Sequence, residues 1–551
     1  MPCLRPGYSG PVYLFVLLFL ACAPERTVYA GGPILTLDAR DRIVESIGVE
    51  GDRIAVVGSR ALVEEWADDD TRVVDLQGRA LLPGFIDAHG HFPGAGLYAV
   101  NANLNSPPIG DVERIHQLQE RLADLAATTS SGDWVVGFGY DDTLLAEKRH
   151  PTREDLDAVS SEHPIAIVHV SGHLGVLNSR ALEEAGISSA SPDPEGGIIR
   201  RAPDGSPNGV LEETALEPIQ ASLLQPSLTD TWAIVNQASD LYLASGTTTA
   251  QNGYAAGNHI GPLSWLQRLG IIPLHLVFWP GLEWADEQPS PTTVKIVADG
   301  SIQGYTGYLS QPYHVPPGDD PAYRGYPRFT RDDLISEVER LHAAGWQVAV
   351  HGNGDAAIDD ILDAFESAQR KHPREDTRHI IIHAQMARDD QLDRMRALGV
   401  IPSFFSLHTY YWGDRHRDLF MGPERAARMS PARSAVDRGM RFTIHCDSPV
   451  VPMEPLRLVW SAVNRRSASG AEIGPDQRIT PLEALRAVTI DAAYQHFEEH
   501  EKGSLEPGKL ADLVVLSRSP LEDPEHIDEI EVLETIVGGR TRYRAEDAGK
   551  P

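Results

Sequence analysis

Cysteine is nearly missing from this 551-residue chain: Cys3, Cys22 and Cys446 are all it has. Three cysteines cannot build a disulfide framework or a cysteine-rich zinc site. Two of them lie in the N-terminal leader, so the body carries one unpaired thiol. Positive charge is also short. Lysine and arginine number 48 against 79 acidic residues, a net charge of −31. A surface so acidic repels phosphate backbones, which argues against nucleic acid as a partner. No run is long enough to span a bilayer comfortably: the apolar stretch at 11–23 falls short of the ~20 residues a membrane helix needs. Solenoid repeats and low-complexity tracts are missing too. The hydrophobic share of 42% is that of an ordinary globular chain, and the length suits a barrel with insertions.

The leader places Arg5 before the apolar stretch, which is a secretory signal pattern. Two processing sites compete. FLAC (19–22) reads as a bacterial lipoprotein box with a lipid anchor at Cys22, and Val28-Tyr29-Ala30 reads as ordinary cleavage. An uncleaved anchor is the bland alternative. The expectation is an exported protein, periplasmic or membrane-anchored, with residues 1–30 as leader.

Short β-type segments follow, at 33–38, 42–50, 52–58 and 71–89, with turns at Gly51-Asp52 and Gln77-Gly78. Segments 503–517 and 531–543 have the same character. Sheet pieces at both ends predict one composite β-sandwich from 31–82 and 500–545. Between them apolar runs alternate with helical patterns, as βα units do. There are more strand candidates than eight. The fold class expected is therefore α/β: a (β/α)8 barrel over 83–499 with an insertion at about 97–245.

FIDAHGHF (85–92) sets His89 and His91 two apart, on one face of an extended chain. The pair alone is weak evidence, but the pattern recurs. His351 ends WQVAV, His383 ends HIII, Asp447 follows RFTIHC, and Lys295 sits inside TVKIVADG. Parallel strands of a barrel bring such ends to one mouth. Four histidines and an aspartate suit zinc or a similar divalent ion. Either of His351 and His383 alone would read better as a core histidine; the set does not. Lys295, if buried, is driven towards the neutral amine, a nucleophile or a site of modification. Pairing with Asp299, or snorkelling, is its structural alternative. His173, in SGHLGVLNS, is a candidate substrate contact, with a cap or surface role weighing equally. Gln303 and Tyr305 lie just beyond Lys295 and are the other substrate-binding candidates.

Together LLPGFIDAHGHF (81–92), VKIVADGSIQGYTG (294–307), VAVHGNGDAAID (348–359), IIIHAQ (380–385), IHCDSPV (444–450) and GSLEPGKLADLVVL (503–516) carry a resemblance. The chain resembles the metal-dependent amidohydrolases of the urease superfamily, and within them the amidohydrolase-3, YtcJ-like group, similar to N-substituted formamide deformylase. The resemblance implies a distorted TIM barrel with an inserted subdomain and a small composite β-sandwich. It places His89 and His91 on one divalent metal, with His351 and His383 on a second or sharing the first. Asp447 would touch metal and act as general base. Lys295 falls where relatives carry a carboxylated lysine between two ions, so one or two ions are implied. The expected reaction is hydrolysis of a non-peptide amide-type C–N bond in a small molecule. A deaminase acting on a ring amidine competes; its comparators carry a glutamate shortly after the third histidine, where this chain has Asn353 and Asp355. A non-catalytic, exported metal- or ligand-binding barrel is the third reading.

Overall fold

The computed structural model describes residues 25–216 and 227–546. Cys22 and most of the leader lie outside them. Eight parallel strands form the centre: β1 (Phe85–Ile86), β2 (Thr247–Ala255), β3 (His275–Pro280), β4 (Thr293–Val297), β5 (Gln347–Gly352), β6 (Ile380–His383), β7 (Ile401–Phe404) and β8 (Thr443–Ile444). They pair as two sheets, β3-β2-β1 and β4-β5-β6-β7-β8. The ladders do not run continuously between the sheets, yet both seams are bridged. Gly281 pairs in parallel with Lys295 at one. At the other the Asp447 N–H donates to the His89 carbonyl at 3.2 Å, and the His91 N–H to the Ser448 carbonyl at 2.8 Å.

Strands β5 and β6 are buried at every position, which is why they read as unbroken apolar runs. The helix Asp355–Lys371 follows β5 and turns Ile358, Ile361, Leu362 and Phe365 inward at helical spacing. The helix Arg331–Ala343 is capped by Thr330, opens on Asp332 and Asp333 and closes on Arg340 and His342, matching its dipole at both ends.

Between β1 and β2 the chain builds a six-stranded sheet, ordered Gly197–Arg201, Pro207–Glu213, Leu174–Leu177, Ile165–His169, Val135–Tyr140, Ala102–Asn103. It falls inside the expected insertion. Arg415 and the Trp412 indole, on the helix His408–Arg415 after β7, tie it down by donating to Asp141.

Strands from both ends of the chain hydrogen-bond into one eight-stranded sheet, with Leu513–Leu516 lying directly beside Ala80–Pro83. It has its own core of Ile34, Ile47, Leu81, Leu513 and Ile536. Its first strand starts at Arg26, ahead of the expected boundary at 31. Val28, Tyr29 and Ala30 are interior to that strand, paired with Gly48, Ile47 and Ser46 on one side and Val73, Val74 and Asp75 on the other. Gly84 is the step from end sheet to barrel: a Cβ there would stand 2.3 Å from the Thr248 methyl.

Candidate metal centre and catalytic site

The chain leaves the ladder at the end of β1 and folds His89 and His91 over the barrel rim. It leaves again at β6 and β8, where His383 and Asp447 take positive φ values of 68° and 55°. Both are strained conformations for residues with a side chain. They bring the imidazoles round one carboxylate. His91 Nε2 lies 3.2 Å and His89 Nε2 3.5 Å from Asp447 Oδ1, and His383 Nε2 lies 3.8 Å from Oδ2. His351 packs edge-on against His383, ring centroids 4.6 Å apart.

Behind three of the imidazoles stands a group that orients the ring. His89 Nδ1 is 2.9 Å from Gln251 Oε1, which also accepts the Gly90 N–H at 3.0 Å. Two donors on one oxygen identify it as the acceptor, so His89 carries its proton on Nδ1 and turns the Nε2 lone pair to the centre. The Trp279 indole stacks on this ring. His351 Nδ1 meets Asp299 Oδ1 at 3.2 Å. His383 Nδ1 meets His445 Nε2 at 3.1 Å, and His445 Nδ1 meets the Ser403 hydroxyl at 2.9 Å. Backing of this kind orients metal-ligating histidines.

The electrostatics match. Burial, then the Lys295 charge, holds His89 well below its ordinary pKa. Burial does the same to His351 and His383. All three are neutral donors. Burial alone would raise the Asp447 carboxyl, but His91, within hydrogen-bonding reach beside it, keeps it well below the usual carboxylate range. Asp447 Oδ1 is nonetheless buried without a hydrogen-bond partner. A buried carboxylate ringed by imidazole nitrogens is a donor set that fits a divalent cation.

Lys295 is 2% exposed, and burial pushes its amine down to about 7. Its Nζ lies 2.9 Å from His89 Nε2. Pairing with Asp299 does not occur: that carboxylate accepts the N–H groups of Asn353, Gly354 and Tyr308 and faces His351.

His173 reaches the mouth from the insertion. Its ring is 5.1 Å from that of His351, and its Nδ1 is 2.9 Å from buried Glu213. Gln303 is buried, its Oε1 without a hydrogen-bond partner. The Tyr305 ring packs against Tyr313 and Phe420 in a separate apolar cluster, and none of its ring contacts is with the metal-facing histidines. Sequence reasoning missed Gln251, Asp299, Glu213 and His445. Only His445 carried a local signal, standing two residues before Asp447.

A profile of the amidohydrolase family, group Amidohydro_3, matches residues 72–543. N-substituted formamide deformylase of Arthrobacter pascens is 30% identical over 528 residues, 93% of this chain and 97% of that protein. YtcJ of Bacillus subtilis (strain 168) is 27% identical over 543 residues, 94% of this chain and 99% of that protein. A solved metal-dependent hydrolase from Pyrococcus horikoshii OT3 superposes with a TM-score of 0.72 at 24% identity, over 91% of this chain and 99% of that one. That likeness shows a shared fold, and the eight parallel strands make it α/β of TIM-barrel type. With the profile spanning the whole barrel and strands of the end sheet from both chain ends, the chain belongs to the amidohydrolase family, metal-dependent hydrolases of carbon–nitrogen bonds.

Proposed function

We propose that this amidohydrolase cleaves a non-peptide amide-type C–N bond of a small molecule, with Asp447 as general base. The observation that carries the reading is the geometry at Asp447, a buried carboxylate faced by three imidazole Nε2 atoms within 3.8 Å. His89, His91 and Asp447 would hold one ion, zinc by their donor set. Such an ion supplies Lewis acidity, lowering the pKa of water from ~15.7 towards about 7. Asp447, kept ionised, takes the proton of the attacking water and returns it to the leaving nitrogen, releasing a carboxylate and an amine. His173 is held on Glu213 at the mouth, where it meets the substrate, and Gln303 offers its spare oxygen to a substrate N–H. Burial pushes the Lys295 amine down to about 7, towards the neutral form that carboxylation needs; a carboxylated Lys295 would help hold a second ion with His351 and His383.

The region after His351 favours amide cleavage over deamination. Asn353 donates its amide to the Gly300 carbonyl, and Asp355 is taken up by Ser310 and Arg388. No free carboxylate stands where the deaminase reading needs one. The test sets N-acyl and N-formyl amines against ring amidines, with ammonia detection. Amine release from the first set is expected; ammonia from amidines alone would establish the deaminase instead. Equal turnover by wild type and Asp447→Asn would remove Asp447 as base.

Export belongs to the same proposal. Cleavage at Cys22 leaves the strand Arg26–Leu35 whole, whereas cleavage after Ala30 removes its first half. The mass of the mature protein, with and without Cys22→Ser, decides between them: a lipid-modified Cys22 is expected, and a mature start at residue 31 would exclude it.

A further inference from the structure

A line of buried polar side chains reaches His383 from behind. Gln495 ends the helix Ile490–Gln495. Thr443 and Ser403 stand opposite each other in the ladder of β8 and β7, and His445 lies two residues beyond Thr443. All four side chains are enclosed. Gln495 Nε2 donates to the Ala88 carbonyl at 2.7 Å, and Gln495 Oε1 lies 2.8 Å from Thr443 Oγ1. Thr443 Oγ1 lies 2.7 Å from Ser403 Oγ, and Ser403 Oγ lies 2.9 Å from His445 Nδ1. His445 Nε2 then meets His383 Nδ1 at 3.1 Å.

The line has a direction, because each hydroxyl has one proton to give and a neutral imidazole has one N–H. The Gln495 amide nitrogen is engaged at Ala88, so the amide oxygen faces Thr443 and can only accept. The Thr443 proton therefore goes to Gln495. The contact between the two hydroxyls is left to the Ser403 proton, and the contact between Ser403 and His445 to a proton on His445 Nδ1. That bares His445 Nε2, which accepts from His383 Nδ1. His383 keeps its Nε2 lone pair for the centre, the tautomer that a metal ligand needs. Reversed, the line would put a proton on His445 Nε2, push the His383 proton onto its own Nε2 and take that lone pair away.

We propose, on the metal-dependent reading of the barrel centre, that Gln495, Thr443 and Ser403 are positioning residues that set the tautomer of His383 through His445. None of the three touches the ion that His383 would hold. Gln495 gives the line its sense, since its amide is the one member that cannot reverse without losing the Ala88 carbonyl. Ala88 is the residue before His89, so the same amide fastens the segment that carries His89 and His91 over the rim. The line thus joins the first and last barrel strands to the ligand at the end of β6.

The test is a double-mutant cycle on the full chain, read as Co2+ affinity in chelator competition. His383→Gln marks the bound cobalt that depends on that ring. Thr443→Val takes away the acceptor of the Ser403 proton, which then turns to His445 and reverses the line. It is expected to weaken that cobalt by ~10–100-fold, while Thr443→Ser, which restores the hydroxyl, binds as wild type does. In the His383→Gln background Thr443→Val should have no further effect. Ser403→Ala removes the acceptor of the His445 N–H and takes the same place in the cycle if Thr443→Val does not fold. Thr443→Val that binds cobalt like wild type, or that weakens it equally with and without His383, overturns the proposal and leaves the metal-dependent reading standing. Wild type that binds no cobalt overturns both.

Discussion

Three of the metal-facing imidazoles at the barrel mouth owe their direction to groups the metal would not touch. Gln251, Asp299 and His445 set the tautomers of His89, His351 and His383. Removing such support costs ~10–100-fold in metal affinity or activity in comparable sites. His445→Gln is therefore expected to weaken metal binding by about that factor in chelator competition; unchanged affinity would leave His445 a packing residue. Asp447→Asn keeps the shape and loses the base, so kcat should fall by ~10²–10⁴-fold. The ligand-type residues were legible in the sequence because each ends an apolar run. Their supporting partners were not. Gln251 lies 162 positions from His89, His445 lies 62 from His383, and Glu213 lies 40 from His173. Nothing local marks which buried surfaces meet at such separations. Asp299 shows the same limit: it is near Lys295 in sequence, but the backbone turns it to His351.

Among the elements, the strand ends that build the site are shorter than the sequence suggests. The run RFTIHCD (441–447) reads as a strand, but only Thr443–Ile444 pairs. The His445 N–H still donates to the Phe404 carbonyl, and beyond it Cys446 and Asp447 leave the ladder as the carboxylate turns across the mouth. Helices are more faithful to sequence, since Thr330 and the flanking charges mark their ends locally. The insertion meets the barrel through Arg415 and Asp141, which are 14% and 6% exposed at their side chains. Arg415→Leu strands a buried carboxylate, and breaking such a pair costs roughly 3–5 kcal/mol. Urea denaturation should show that loss, with the insertion becoming open to protease first. A variant as stable as wild type would mean that Trp412 and Thr143 suffice to hold Asp141.

For the whole molecule, the two chain ends share one sheet, and the barrel hides many neutral histidines. One pair lies away from the metal centre. The Val348 N–H donates to His379 Nδ1, His379 Nε2 meets His342 Nδ1 at 2.9 Å, and His342 Nε2 meets the His372 carbonyl. Burial holds both imidazoles below their ordinary pKa. An unfolded histidine takes a proton near pH 6.5, but the folded pair resists it to lower pH. The stability this gives is complete above about 6.5 and is lost as pH falls, at about 1.4 kcal/mol per pH unit for each site. The urea midpoint should hold between pH 7 and 8 and drop from 6.5 to 5. His342→Gln should drop less steeply; an equal slope would show that the pair protonates as readily folded as unfolded. The reading of the chain as a metal-dependent amide hydrolase meets its most direct test in turnover of an N-formyl or N-acyl amine before chelation, after chelation, and after zinc is restored. Activity that disappears with the metal and returns with it, in wild type but not in His91→Ala, is the expected result; a metal-free protein working at full rate would contradict it.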